Sequence, residues 1–269
     1  AQDAFSRAVQ LCDQVSNEAT QRRHEAVMNL SDTAFYSRDW HSAESAHRQF
    51  LLSVQDNNDL RGADHRGWLV CALVAQGKSD ELILREASTA TTPESQWRFW
   101  TGLASGYTWL GRLFDAQDAF QRAWALSETL SEQKISRRMQ TADSLSGLML
   151  SLRDGPAAEH YARQAVDLTY SLDKKDPVER LYRNYNLCMA FHMQQKADDA
   201  ARASLDSLSI VELLRREGRE AFPEPCLNSL LSAGLLAHTR NDAAALQDAL
   251  RILDSAKPGH RKINRLLLC

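Results

Sequence analysis

The side chains of this sequence that could perform chemistry are its eight histidines, five cysteines and 35 acidic residues. Their spacing matches no phosphate-binding glycine loop, HExxH zinc motif, GxSxG nucleophile motif or paired-cysteine metal motif. His41 and His47 are six residues apart, which places them on different faces of a helix, and His47 falls at an inward position. We therefore predict no catalytic residue, no metal site and no cofactor, and we expect a protein that is not an enzyme.

The cysteines and the overall charge indicate where the protein is located and which partners it lacks. Cys12, Cys71, Cys188, Cys226 and Cys269 are widely separated and form no CxxC pair, as expected of reduced thiols in an intracellular protein. The N-terminus lacks the basic-then-apolar signature of a signal peptide, and no apolar run is long enough to cross a membrane. Since the net charge is only −3, we expect a cytoplasmic protein with no direct nucleic-acid or membrane contact.

One stretch, residues 100–124, shows which elements must position any functional side chain. Its bulky and small residues recur at steps of three and four, the spacing of one helix face: Trp100, Leu103, Ala104, Tyr107, Gly111, Leu113, Ala116, Phe120, Ala123 and Trp124. Gly111 interrupts the series, and a second apolar series follows it. This pattern predicts two antiparallel helices joined at Gly111.

The order W-x2-L-A-x2-Y-x3-G-x-L-x2-A-x3-F-x2-A-W resembles a tetratricopeptide (TPR) repeat. The resemblance implies an all-α fold, a right-handed α-α superhelix (TPR-like solenoid) of about six helical hairpins plus terminal helices. It also implies a role in binding other proteins rather than in catalysis.

Weaker copies of the pattern recur along the chain. The position that Ala116 holds in residues 100–124 is held in the other copies by Ala1, Ala43, Leu82, Ala158, Ala200 and Ala245. The separations run from 34 to 45 residues, and all but one exceed the standard repeat length of about 34. These longer repeats resemble those of bacterial regulatory and signalling proteins.

The repeat pattern predicts a single solenoid over residues 1–269, cut from a longer protein. Residues 1–17 match the second helix of a repeat whose first helix is missing. We expect residues 257–269 to be either a C-terminal capping helix or the start of a linker.

If the first helix of each hairpin lines a concave groove, the register predicts which side chains enter it. The first group is Met28, Asp32, Phe35 and Tyr36. The strong copy adds Arg98, Thr101, Ser105 and Trp109, and a later copy adds Tyr182, Tyr185, Met189, His192 and Met193. Tyr, Trp, Met and Arg are enriched at binding surfaces. Because longer helices bury more of both faces, core positions for these residues are the alternative. The predicted partner-binding residues are Arg98, Thr101, Trp109, Tyr182, Tyr185, Met189 and His192.

Three functions remain open at this stage. The first is a regulatory interaction module that binds a protein or peptide, or another domain of its own chain, in the groove. The second is a ligand- or signal-peptide-sensing domain that controls an attached output domain, such as a transcription regulator or a diguanylate cyclase. The third is self-association. The Lys/Asn/Arg set of carboxylate-clamp TPR proteins is absent, since Thr101 and Ser105 occupy its positions.

Overall fold

A computed structural model describes residues 17–53, 60–78, 85, 89–130, 135–171, 177–217 and 247. The chain divides into two compact units, Ala1–Ser131 (unit 1) and Glu132–Cys269 (unit 2). The predictions for residues 1–17 and 257–269 lie outside the described residues, apart from Asn17.

Both units are built from helices that pack in sequential order. Unit 1 contains α1 (Asn17–Ser37), α2 (Trp40–Ser53), α3 (Leu60–Ala75), α4 (Pro93–Trp109) and α5 (Leu113–Thr129). Unit 2 contains α6 (Ile135–Ser151), α7 (Gly155–Tyr170), α8 (Pro177–Met193) and α9 (Ala197–Arg216). Within each unit every helix packs against the next, and the described ranges contain no strand. This arrangement confirms the predicted all-α repeat fold.

In the repeat register, α1, α3, α4, α6 and α8 are the first helices of hairpins. Helices α2, α5, α7 and α9 are second helices, and the partner of α3 falls outside the described residues. The aligned alanines of the second helices, Ala43, Ala116, Ala158 and Ala200, are all 0% exposed. A methyl side chain at these positions lets neighbouring helices approach closely.

The turns that join the helices of a hairpin share one conformation. The residues with positive φ are Arg38, Gly77, Gly111, Arg153 and Gln195. After each of them, a backbone N–H bonds back across the end of the helix, as from Asp154 to the Met149 carbonyl at 2.9 Å. Gly111 therefore has its predicted role. Gly155 and Pro156 lie in the first turn of α7, directly after the turn at Arg153 and Asp154.

Glycines allow α3 and α4 to touch along their backbones. A Cβ added to Gly67 would lie 2.6 Å from the Leu103 nitrogen and 2.6 Å from the Phe99 oxygen. A Cβ added to Gly102 would lie 2.8 Å from a backbone oxygen of α3. The Cys71 thiol donates a hydrogen bond to the Leu103 carbonyl at 3.2 Å. This contact holds two consecutive first helices of unit 1 at short range.

Candidate functional site

Two exposed aromatic side chains meet on the side of unit 1 that its first helices form. Tyr36 lies in the last turn of α1, and Trp109 is the last residue of α4. Their ring centroids are 4.4 Å apart and their planes are at 82°, the edge-to-face geometry that aromatic pairs favour. Tyr36 is 72% exposed and Trp109 is 44% exposed. This aromatic pair therefore presents ring surface to solvent.

Phe35, the residue before Tyr36, packs the last turn of α1 against the core. Phe35 is buried and makes edge-to-face contacts with Trp40 at 5.3 Å and with Trp68 at 5.1 Å. Because successive helix residues point about 100° apart, this contact directs Tyr36 outward. The structure thus separates two residues that the sequence register assigned together to the groove, and Phe35 belongs to the core.

Arg98, predicted to bind a partner, is already engaged within unit 1. Its Nη2 lies 3.1 Å from Oδ2 of Asp64 on α3, and the two side chains are 27% and 8% exposed. Burial raises the pKa of Asp64 to about 6, and the charge and hydrogen bond of Arg98 oppose this shift. A partner carboxylate would therefore compete with Asp64 for the Arg98 guanidinium.

Thr101 lies in the contact region of α4 rather than on its surface. It is 6% exposed, and its hydroxyl donates to the Trp97 carbonyl at 2.8 Å. Ser105, one turn later, is half-buried and donates to the Thr101 carbonyl at 3.0 Å. At this level the residues of α4 are buried or half-buried on all sides, and the exposed residue of this predicted group is Trp109 at the end of the helix.

The predicted residues of unit 2 lie on α8. The side chain of Tyr182 is outside the described part of the structure. Tyr185, Met189 and His192 are half-buried and follow one another at helical spacing. Burial raises the pKa of Tyr185 and lowers that of His192. Their assignment to a binding surface stays a prediction.

A histidine chain in unit 1, buried at His47 and His65 and half-buried at His24, was not predicted from the sequence. Nδ1 of His24 lies 3.0 Å from Nε2 of His65, and Nδ1 of His65 lies 2.8 Å from Nδ1 of His47. The Ser31 hydroxyl lies 2.7 Å from Nε2 of His47. Burial lowers the pKa of His47 to about 3 and that of His65 well below its usual value. Neutral imidazoles, each with one donor and one acceptor nitrogen, can satisfy this chain.

A charged cluster recurs between consecutive repeats. In unit 2, Oε2 of Glu159 accepts hydrogen bonds from Lys196 at 2.6 Å and Gln194 at 2.8 Å, while Oε1 accepts from Arg163 at 2.8 Å. Partial burial acts to raise the pKa of Glu159, but these hydrogen bonds outweigh it and lower the pKa to about 2. The cluster links α7 to the turn that follows α8.

Unit 1 repeats the same arrangement with different residues. Glu44 accepts from Arg48 at 2.9 Å, from Gln76 at 2.9 Å and from Lys78 at 3.0 Å. Burial opposes the effect of these donors, and the pKa of Glu44 is again lowered to about 2. Both clusters share one sequence signal, E-x3-R on a second helix followed by Q-x-K in the next hairpin turn, and this signal was not predicted to form a cluster.

The described residues contain no group of three His, Cys, Asp or Glu side chains arranged to hold a metal ion. None of their helices is long and apolar enough to cross a membrane. The Cys71 and Cys188 side chains are buried free thiols.

No family model and no curated protein matches the sequence. Among solved structures, the chain is similar to BtubC (BKLC) from P. vanneervenii, with 18% identity and a TM-score of 0.64 over 94% of this chain and 89% of that one. It is similar to the apo form of RapI, with 14% identity and a TM-score of 0.63 over 91% of this chain and 69% of RapI. The nearly identical TPR-like repeats of a kinesin light chain from Podosopora anserina give 15% identity and a TM-score of 0.52 over 77% and 90% of the two chains. At these identities the similarity concerns the fold, and the fold of this chain is that of the TPR-like repeat proteins.

Proposed function

We propose that the protein is an interaction module that binds a protein or peptide segment on the first-helix side of unit 1, with the aromatic pair as its anchor. The observation that supports this proposal most strongly is the exposure of Tyr36 and Trp109 in a fixed mutual geometry. Rigid aromatic side chains that are already in place lose little conformational entropy when a partner binds.

The exposed ring surface of the aromatic pair suits an apolar or aromatic partner side chain. Arg98, a cation on the same helix as Trp109, is paired with Asp64. The Thr108 hydroxyl next to Trp109 donates to the Ala104 carbonyl at 2.9 Å. Because these polar groups are satisfied internally, ring surface is the main feature that the pair offers.

The exposed fractions of Tyr36 and Trp109 set the size of the contribution that the aromatic pair can make to binding affinity. About 44% of Trp109 and 72% of Tyr36 remain open to solvent. With roughly 200 Å² for each aromatic side chain, a partner that covers half of the open surface buries on the order of 100 Å². At about 25 cal/mol per Å² this contributes roughly 3 kcal/mol, or about 100-fold in affinity.

A selection from a random displayed-peptide library tests the proposal. Peptides recovered on the full chain should lose about 10-fold or more in affinity for Trp109→Ala and for Tyr36→Ala, measured by fluorescence polarisation. Phe114→Ala is the matched control, because Phe114 is 77% exposed on α5 of the same unit. The proposal would be refuted if the peptides bound all three variants equally well. It would also be refuted if the library yielded no peptide whose binding depends on the aromatic pair.

The proposal includes a cytoplasmic, regulatory role without direct nucleic-acid or membrane contact. It is supported by the small net charge of −3 and by two buried free thiols, Cys71 and Cys188. The alternative, a sensor that controls an attached output domain, predicts a closed pocket lined by Tyr182, Tyr185 and His192. That alternative remains a prediction.

A further inference from the structure

A carboxylate without a partner lies one helical turn before the exposed Tyr36 on α1. Asp32 is half-buried, and in the part of the chain that the structure describes no hydrogen bond or ion pair engages it. Burial raises the pKa of Asp32, because its carboxyl has lost water and no cation compensates for the loss. Partial loss of hydration is unfavourable for a charged group, so a ligand that brings a positive charge would relieve it.

The register of α1 places Asp32 beside the aromatic pair. Residues four apart in an α-helix lie on the same face, with their Cβ atoms about 5 to 6 Å from each other. Asp32 and Tyr36 are therefore neighbours along α1. The Tyr36 ring in turn contacts the ring of Trp109 on α4, with 4.4 Å between the centroids. One carboxylate and two aromatic rings thus lie together on the first-helix side of unit 1.

The surrounding sequence supplies no cation that could neutralise Asp32. The residues three and four positions away from it on α1 are uncharged, namely Met28, Asn29, Phe35 and Tyr36. On α4, Arg98 is paired with Asp64 at 3.1 Å. Just after α4, Arg112 is paired with Asp115 at 2.6 Å. The negative charge of Asp32 is therefore left for a partner to neutralise.

The exposed rings of Tyr36 and Trp109 add to the attraction for a cation. An aromatic ring attracts positive charge through its face. In an edge-to-face contact one ring touches the other only with its edge, so both faces of that ring stay clear of the other ring. Lysine and arginine can lay their apolar stems along such a surface while the charged end reaches a carboxylate.

We propose that the aromatic pair and Asp32 together bind a lysine or arginine side chain of the partner segment. This inference rests on the proposed function and adds the chemistry of the partner, which is a basic segment. The stem of the basic side chain covers ring surface, and its charge pairs with Asp32. An acidic segment is disfavoured, because it would bring a like charge next to an unpaired carboxylate.

NMR titration of the full ¹⁵N-labelled chain with defined peptides tests this inference at the indole N–H of Trp109. Tripeptides with alanine at both ends, an acetylated N-terminus and an amidated C-terminus carry arginine, lysine, citrulline, norleucine or glutamate at the centre. Citrulline and norleucine resemble the arginine and lysine side chains but lack their charge. We expect at least one basic peptide to bind saturably and about 5-fold more tightly than its uncharged counterpart, and the glutamate peptide to bind more weakly than either basic peptide.

Variants show whether Asp32 is the source of the charge preference. Asp32→Asn should lower the affinity for the basic peptide about 5-fold and leave the affinity for its uncharged counterpart unchanged. Asp118→Asn is the matched control, because it removes the same charge from an exposed position on α5 of the same unit. This control should bind every peptide as the wild type does.

The inference and the proposed function fail in different ways. If the uncharged peptides bind as tightly as the basic ones and shift the Trp109 signal, the basic partner is wrong and the aromatic anchor stands. The same holds if Asp32→Asn and Asp118→Asn weaken binding equally, or if selected peptides bind at Trp109 and neither basic tripeptide does. If neither the tripeptides nor any selected peptide shifts the Trp109 signal, both the inference and the proposed function are wrong.

Discussion

Replacement of Gly67 by alanine tests how closely α3 and α4 approach. The added Cβ would lie 2.6 Å from both the Leu103 nitrogen and the Phe99 oxygen. Ordinary van der Waals contact with these atoms needs about 3.4 Å, so the two helices would have to separate by roughly 0.8 Å. Because the opposing atoms belong to the backbone, they cannot rotate away.

The change in the free energy of unfolding caused by Gly67→Ala results from two opposing effects. Overpacking of a well-packed contact costs about 1 to 3 kcal/mol, and the rigid backbone places Gly67→Ala at the upper end. The higher helix propensity of alanine returns about 1 kcal/mol. We therefore expect the free energy of unfolding of unit 1 to fall by about 2 kcal/mol.

Urea denaturation followed by circular dichroism measures this change, and Gly147→Ala provides a matched control. Gly147 lies inside α6, and a Cβ added there would meet no atom within 4 Å. That substitution should therefore stabilise the protein by about 0.5 to 1 kcal/mol. If Gly67→Ala proves as stable as Gly147→Ala, the close contact between α3 and α4 is wrong.

Three further predictions concern acid stability and turns. In NMR spectra, His47 and His65 should stay neutral near pH 6.5. Because only the unfolded state then binds a proton, the free energy of unfolding should fall by about 1.4 kcal/mol per pH unit for each of them as the pH drops below about 6. Normal titration of both rings would contradict the buried contacts of these histidines. Glu159→Gln should cost about 1 kcal/mol at pH 7. Because the pKa of Glu159 is lowered to about 2, the stability it provides is present above about pH 4.5 and is lost as the pH falls towards 2. In urea denaturation, the free energy of unfolding of the variant should therefore depend less on pH over this range than that of the wild type. An equal pH dependence would argue against the cluster. Gln195→Gly should raise stability by about 0.5 to 1 kcal/mol, since Gln195 has a φ of 58°, and a loss of stability would show that its side chain matters more than its backbone.

Local patterns in the sequence were enough to predict the repeat fold. Helical periodicity and one recurring small residue predicted that Ala43, Ala116, Ala158 and Ala200 lie at helix contacts, and all four are fully buried. These features depend on residues three or four positions apart on the same helix. Contacts between distant segments were not predictable in the same way. The approach of Gly67 to Leu103 depends on how two separate first helices align.

The candidate site was likewise predictable in its local features but not in its contacts between distant segments. Exposure at the end of a first helix could be predicted for Tyr36 and Trp109, but their mutual contact depends on the relative position of α1 and α4. Arg98 was predicted as a partner-binding residue, because nothing in its local sequence indicates that Asp64 pairs with it. Thr101 lies in the middle of α4 and is buried, which its place in the repeat register did not indicate.

The most direct test of the central claim is ¹⁹F NMR of the full chain labelled with 5-fluorotryptophan, titrated with a selected peptide. Assignment by Trp109→Phe identifies the signal that matters among the six tryptophans. We predict that the Trp109 signal shifts in a saturable manner, while the signals of the buried Trp68 and Trp97 stay in place. Peptide binding that leaves the Trp109 signal unchanged would contradict the claim that the aromatic pair is the binding surface.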